Sequence, residues 1–132
     1  MTSRTIVGAL VVAAFLGAAT LSARGDSYVW TDKQWTIANF VDPVLVKGQF
    51  VMGSVLIVHD SARMARGEPC TSFYRFDPGV GPKELLVSFH CRPRLAEGVA
   101  TTRFTTVSTD GCRRLVEYQV AGDSEAHGVP IR

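Results

Sequence analysis

The chain has 132 residues, of which 46% are hydrophobic and 20% are charged. The 14 basic residues exceed the 12 acidic residues by two, and Arg4 and Arg24 are the only charged residues among the first 25, so that the remainder is neutral. A neutral domain has no overall field to attract nucleic acid or an anionic membrane, and we expect neither as a partner.

Residues 1–25 have the layout of a secretory signal peptide. A polar start with one positive charge precedes an apolar run from Thr5 to Leu21, and small residues offer a cleavage site after Gly25, with a cut after Ala23 as the alternative. The apolar run is at the lower length limit for crossing a bilayer, so that an uncleaved anchor is the other interpretation. The sequence predicts an exported protein, periplasmic or extracellular, with one domain at 26–132 and no membrane contact after cleavage.

The rest of the chain has the spacing of turn residues that is typical of a small all-β domain. Gly, Pro, Asp and Asn interrupt segments rich in Val, Thr, Phe and Tyr, which predicts an antiparallel sandwich or barrel of about seven or eight short strands. Bends are expected at Asp42-Pro43, Lys47-Gly48, Asp77-Pro78-Gly79, Gly81-Pro82 and Asp110-Gly111, and one or two helical turns at Ser61 to Arg66. The predicted strands are Tyr28 to Trp30, Trp35 to Phe40, Val44 to Val46, Phe50 to Val58, Thr71 to Phe76, Glu84 to Cys91, Ala100 to Val107 and Arg113 to Val120.

Alternation within one of these strands assigns its two faces. Leu85, Val87, Phe89 and Cys91 fall on one side of the strand, because successive side chains point to opposite faces. This apolar set is the expected core face, and His90 is expected to point outward.

The three cysteines predict a disulfide, since exported proteins meet an oxidising compartment. We expect Cys70 and Cys91 to be bridged, because they lie in successive strands that can be neighbours in an antiparallel sheet. The closed loop of about 22 residues would stabilise the fold by roughly 3 kcal/mol. Cys112 follows a turn and is expected to be a free or an intermolecular thiol. A zinc site built from the cysteines alone is disfavoured, because the chain contains no C-x-x-C pair.

The histidines are the candidate metal ligands. His59, His90 and His127 each stand at the edge of a predicted element or in the C-terminal tail, and strand ends can converge at one pole of a sandwich. Together with Met64 or a cysteine such as Cys91, they would supply the imidazole and sulfur ligands that suit copper or zinc.

The segment Phe89-His90-Cys91-Arg92-Pro93-Arg94 resembles the copper-binding loop of the cupredoxins, whose pattern is Cys-x-Pro-His with a Met shortly after a Gly. Arg94 and Val99 stand where that family has its His and Met. The resemblance implies a β-sandwich and argues against a blue-copper centre.

A broader resemblance covers most of the chain after residue 25. His59-Asp60, Gly67-Glu68-Pro69-Cys70 and Glu125-Ala126-His127-Gly128 are similar to segments of a group of small exported bacterial proteins. That resemblance implies export and no particular activity.

The functional expectation follows from these observations. The sequence contains no G-x-S-x-G, G-x-G-x-x-G or P-loop motif, so that an enzyme is the less favoured class. We expect an exported, non-enzymatic binding or accessory module whose partner is an envelope protein or a glycan. The alternative is a copper- or zinc-binding protein that uses His59, His90 and His127.

Overall fold

The computed structural model describes residues 33–132. The predicted signal peptide at 1–25, its cleavage site and the predicted strand Tyr28 to Trp30 lie outside the described residues. Within residues 33–132, no helical segment combines the length and the apolar character that crossing a membrane requires.

The described chain folds into eight β-strands and one short helix, which confirms the all-β fold class. The elements are β1 (Lys33–Val46), β2 (Gln49–Asp60), α1 (Ser61–Ala65), β3 (Thr71–Asp77), β4 (Gly81–Phe89), β5 (Arg92–Leu95), β6 (Arg103–Thr109), β7 (Cys112–Gln119) and β8 (Glu125–Gly128). The short strands β5 and β8 were not expected from the sequence, because each has only four residues and neither shows an alternating apolar pattern.

The strands form one mixed sheet that curls into a half-barrel, in the order β4-β3-β2-β1-β7-β8-β5. Strand β7 has three neighbours: β6 pairs along one of its edges, and β1 and β8 share the other. All pairs are antiparallel except β1 with β7, so that the expected purely antiparallel sheet contains one parallel contact.

Of the five expected bends, Asp77-Pro78-Gly79 forms the turn between β3 and β4, and two others are tight hairpin turns with paired positive φ angles. Lys47 and Gly48 both have positive φ angles, 46° and 79°, and Asp110 and Gly111 have 50° and 76°. Two successive positive φ angles match the twist of the flanking strands, as in type I′ turns. The bend expected at Asp42-Pro43 is wrong, because both residues lie within β1, where the pairing with β2 shifts between Phe40 and Val44. The bend expected at Gly81-Pro82 is also wrong, because both residues pair with β3 at the start of β4.

The curl of the sheet is fixed by a two-residue connection. Strands β4 and β5 are at opposite ends of the strand order, yet only His90 and Cys91 separate them. Three Cα–Cα steps span at most about 11 Å, and therefore the two outer strands must approach each other. Cys91 lies at this seam.

The core fills the concave side of the sheet. Val55 and Ile57 of β2 are buried there, and Val87 and Phe89 of β4 are buried with them. The expected core position of Leu85 is wrong: the residue is 53% exposed, because the β3–β4 register shifts between Phe73 and Tyr74 and reverses the alternation. The large fully buried side chains are Tyr118, Phe73, Phe89, Ile57 and Leu115.

Candidate functional site

Three buried side chains from distant parts of the chain meet inside the curled sheet. His59, Cys91 and His127 each place one potential metal-ligand atom within 4.8 Å of the other two. His59 comes from the end of β2, Cys91 from the seam and His127 from β8. The cluster combines two imidazoles and one thiol.

The alternation of the strands aims two of these side chains inward. His59 follows Val55 and Ile57 at intervals of two residues, and all three are buried. Cys91 continues in the same way from Phe89 at the end of β4. Because residues at i and i+2 share a face, the strand faces that form the core also direct the His59 imidazole and the Cys91 sulfur into it.

The curl brings the second imidazole to the first. Strands β2 and β8 are separated by β1 and β7 in the sheet, but the ring centroids of His59 and His127 are only 4.1 Å apart. His127 is paired with Tyr118 of β7, whose ring stacks on the imidazole at 5.1 Å. The position of His127 is therefore fixed by strand pairing and by ring contacts.

His59 is buried without a hydrogen bond. Its side chain is 2% exposed, and neither ring nitrogen has a partner. Burial, together with the neighbouring His127, lowers the pKa of His59 from 6.5 to about 4. The imidazole is therefore neutral at neutral pH and has a free lone pair, which is the form that binds a metal ion.

His127 is held by a carboxylate. Its Nε2 lies 3.2 Å from Oδ2 of Asp123, and its Nδ1 lies 3.8 Å from Sγ of Cys91. Asp123 is itself fixed, because Glu125 N donates to its Oδ1 at 3.1 Å and Gln119 Nε2 donates to its backbone oxygen at 2.8 Å. An Nε2–H that donates to Asp123 leaves Nδ1 unprotonated and directed at the cluster, as in carboxylate–histidine–metal arrangements.

Cys91 also contacts Cys70, its expected disulfide partner. The two Sγ atoms are 2.7 Å apart, and both residues are free cysteines. The sequence therefore predicts the neighbourhood correctly, but the expected disulfide, which requires about 2.05 Å, is not formed in this structure. Burial and the contact with Cys70 raise the pKa of Cys91 to about 12, so that the sulfur is a neutral thiol.

The structure brings together two of the three histidines that the sequence offers as metal ligands, His59 and His127. His90 is exposed and points outward, as its position in the alternation predicts, and it does not belong to the cluster among residues 33–132. Cys91, the next residue, takes its place. Met64 packs partly buried against the core, and Cys112 is a partly exposed free cysteine at the start of β7.

Two residues of the site, Asp123 and Tyr118, are not indicated by the sequence. Asp123 precedes His127 by four residues in a segment for which the sequence predicts no helix or strand, so that no pattern indicates their contact. Tyr118 lies on a predicted strand, but its stacking on His127 requires the pairing of β7 with β8. One signal was available, because His59 continues the spacing of Val55 and Ile57, which predicts an inward direction.

Comparisons with known protein families, with curated proteins and with solved structures find no match for this chain. The resemblances to cupredoxins and to small exported bacterial proteins therefore remain predictions. The function has to be inferred from the site itself.

Proposed function

We propose that this protein binds a zinc or copper(I) ion through His59, Cys91 and His127. The observation that carries the proposal is that both ring nitrogens of His59 are buried without a hydrogen-bond partner, beside a thiol and a second imidazole. Buried polar groups are almost always hydrogen-bonded, and a metal ion is the partner that would satisfy this one.

The donor set and its spacing support a transition metal. A tetrahedral zinc ion about 2.0 Å from nitrogen and 2.3 Å from sulfur holds such a pair of ligands about 3.6 Å apart, and His127 Nδ1 lies 3.8 Å from Cys91 Sγ. Imidazole and thiolate ligands suit zinc and copper, whereas magnesium and calcium prefer oxygen.

The surroundings of the ligands support the same proposal. Asp123 accepts from the far nitrogen of His127, and such outer contacts orient metal-binding imidazoles and raise their basicity. Because Cys91 is a neutral thiol in the metal-free protein, metal binding releases its proton.

Titration of the purified chain with Zn²⁺ under reducing conditions tests the proposal. We expect one ion per chain, and a loss of affinity of at least about 100-fold in His59→Ala, His127→Ala and Cys91→Ser, because each removes a ligand. Substitution with Co²⁺ should give a thiolate-to-metal charge-transfer band that disappears in the Cys91 variant.

His90→Ala is the matched control, since His90 is an exposed histidine adjacent to Cys91. It should bind Zn²⁺ as tightly as the unchanged protein. Equal affinity of the His59 variant, or equal losses in the His59 and His90 variants, would contradict the proposed site.

A second function, binding of an envelope protein by an exported module, is favoured by a separate observation. The sheet carries an apolar groove of about 490 Å³ lined by Lys33, Trp35, Ile37, Leu56, Val58 and Phe76. Trp35 in this groove is 64% exposed. Exposed apolar surface of this kind favours a partner, and the scarcity of polar groups favours an apolar protein segment over a glycan.

The groove can be tested by substitution. A partner retained from an envelope extract by the unchanged protein should be lost with Trp35→Lys and kept with Leu95→Lys, since Leu95 is an exposed residue outside the groove. Equal retention by both variants would reject the groove as the binding surface. Export itself is tested by fractionation, in which the processed chain should be found outside the cytoplasm.

A further inference from the structure

The sulfur atom of Cys91 lies between a second cysteine and the two imidazoles of the proposed metal site. On one side lies Cys70, with its Sγ at 2.7 Å. On the other side lies His127, with its Nδ1 at 3.8 Å and the second imidazole next to it. The same sulfur can therefore serve a disulfide or a metal ion.

Cys70 fits the role of disulfide partner better than that of a fourth ligand. Its sulfur contacts Sγ of Cys91 but does not belong to the group of ligand atoms that all lie within 4.8 Å of one another. A movement of less than one ångström would bring the sulfurs to the disulfide distance of about 2.05 Å. The backbone nitrogen of Cys91 also donates to Sγ of Cys70 at 3.2 Å, which keeps the pair together.

We propose that Cys70 is a redox switch for the metal site, such that a Cys70–Cys91 disulfide and a bound metal ion exclude each other. This inference rests on the metal site proposed above. The reason is chemical: a thiolate is a strong ligand, whereas a disulfide sulfur has no negative charge to donate. Oxidation leaves His59 and His127 as the remaining ligands of the three.

The switching step is a thiol–disulfide exchange with a small-molecule disulfide as the oxidant. The thiolate of one cysteine attacks the oxidant and displaces one thiol, and the second cysteine then attacks the mixed disulfide and displaces the other. Two S–H bonds are lost and one S–S bond forms between Cys70 and Cys91. The oxidant accepts the two electrons and two protons and leaves as two thiols. Because both cysteines are buried, a small oxidant suits this step better than a large one.

The exclusion works in both directions. If disulfide formation lowers the affinity for the metal, a bound metal must disfavour the disulfide by the same factor, since the two equilibria are linked. The metal-loaded protein should therefore resist oxidation that the metal-free protein undergoes.

The experiment compares the full chain in its two redox states with Zn²⁺ as the probe, because zinc cannot itself oxidise thiols. One sample is kept reduced with a phosphine, and the other is treated with oxidised glutathione, freed of it, and mapped by peptide mass to verify the Cys70–Cys91 bridge. We expect the reduced protein to bind one zinc ion and the bridged protein to bind at least about 100-fold more weakly. Protein loaded with zinc before treatment should keep both thiols reduced.

Two variants serve as controls. Cys70→Ala should bind zinc as tightly as the reduced unchanged protein, because Cys70 is not a ligand, and Cys70→Ser is a second variant in case the first fails to fold. Cys112→Ser should behave as the unchanged protein in both redox states, because Cys112 is a free cysteine at the start of β7, outside the cluster.

The outcomes separate this inference from the proposed function. Absence of zinc binding by the reduced chain would overturn both. Equal zinc affinity of the reduced and bridged chains, failure of the bridge to form, or equal oxidation with and without zinc would overturn the switch alone. Weak binding by folded Cys70 variants would also overturn it, because Cys70 would then be a ligand.

Discussion

Replacing His59 by leucine should improve the stability of the metal-free protein while it destroys the metal site. A structural histidine would behave in the opposite way, since it would contribute hydrogen bonds that leucine cannot make. His59 makes none, although its side chain is almost fully buried. The substitution therefore removes two polar atoms that are buried without compensation and puts an apolar side chain of similar size in their place.

The magnitude follows from the contacts. An unsatisfied buried donor or acceptor costs about 1–3 kcal/mol, whereas the lost ring contact with His127 is worth about 0.5–1.5 kcal/mol. The net gain in the free energy of unfolding is then about 1 kcal/mol, which raises the melting temperature of a domain of this size by roughly 4–8 °C.

The same variant should abolish an acid sensitivity. Because the pKa of His59 is about 4 in the folded chain and about 6.5 when unfolded, the unfolded state binds the additional proton between these values. Above pH 6.5 His59 is neutral in both states, and the free energy of unfolding then falls by up to about 3 kcal/mol as the pH falls from 6.5 to 4. In His59→Leu, the contribution of this position to the free energy of unfolding should not change between pH 6.5 and 4.

Denaturant unfolding with a chelator and a reductant present measures both effects, with His90→Leu as the exposed control. A metal-free His59→Leu protein that is less stable than the unchanged chain by more than 1 kcal/mol would refute the reasoning. So would an unaltered acid sensitivity or an unaltered zinc affinity.

Three further substitutions test contacts around the site. Asp123→Asn should lower zinc affinity about 10- to 100-fold, because it weakens the bond that orients an imidazole ligand, and a competition titration measures this. Nη2 of Arg94 lies 2.7 Å from Oε1 of Glu117, and this contact holds the pKa of Glu117 below its usual range. Glu117→Gln should therefore lower the free energy of unfolding slightly at neutral pH, and progressively less as the pH falls below about 4.3. Urea unfolding at several pH values measures this, and an equal loss at every pH would show that the ion pair is irrelevant. Tyr118→Phe should lower the free energy of unfolding by about 1–2 kcal/mol, as measured with denaturant, because it removes a buried 2.6 Å hydrogen bond and leaves the Thr71 hydroxyl without this partner.

The zinc affinity of Asp123→Asn needs a separate check of folding, because Gln119 also holds this segment. An Asp123→Asn protein with normal stability and normal affinity would contradict the orienting role. For Tyr118→Phe, an unchanged free energy of unfolding would show that the hydrogen bond contributes nothing net.

The sequence by itself determined the all-β class and the local directions of several side chains. Strand periodicity and turn residues act over a few positions, and so the sequence predicts the turns at Lys47-Gly48 and Asp110-Gly111. It also predicts the inward direction of Val87, Phe89 and Cys91. The outward direction of His90 followed from the same alternation. The proximity of Cys70 to Cys91 was predicted because adjacent antiparallel strands place their ends together.

Only the tertiary structure decided which side chains meet. His59, Cys91 and His127 converge because the sheet curls until its outer strands are joined by two residues, and because β8 pairs with β7. Curvature and the pairing of distant strands depend on interactions between segments far apart in the chain, which no local pattern records. A shifted register likewise moved Leu85 out of the core, since one displaced residue reverses the faces of a strand.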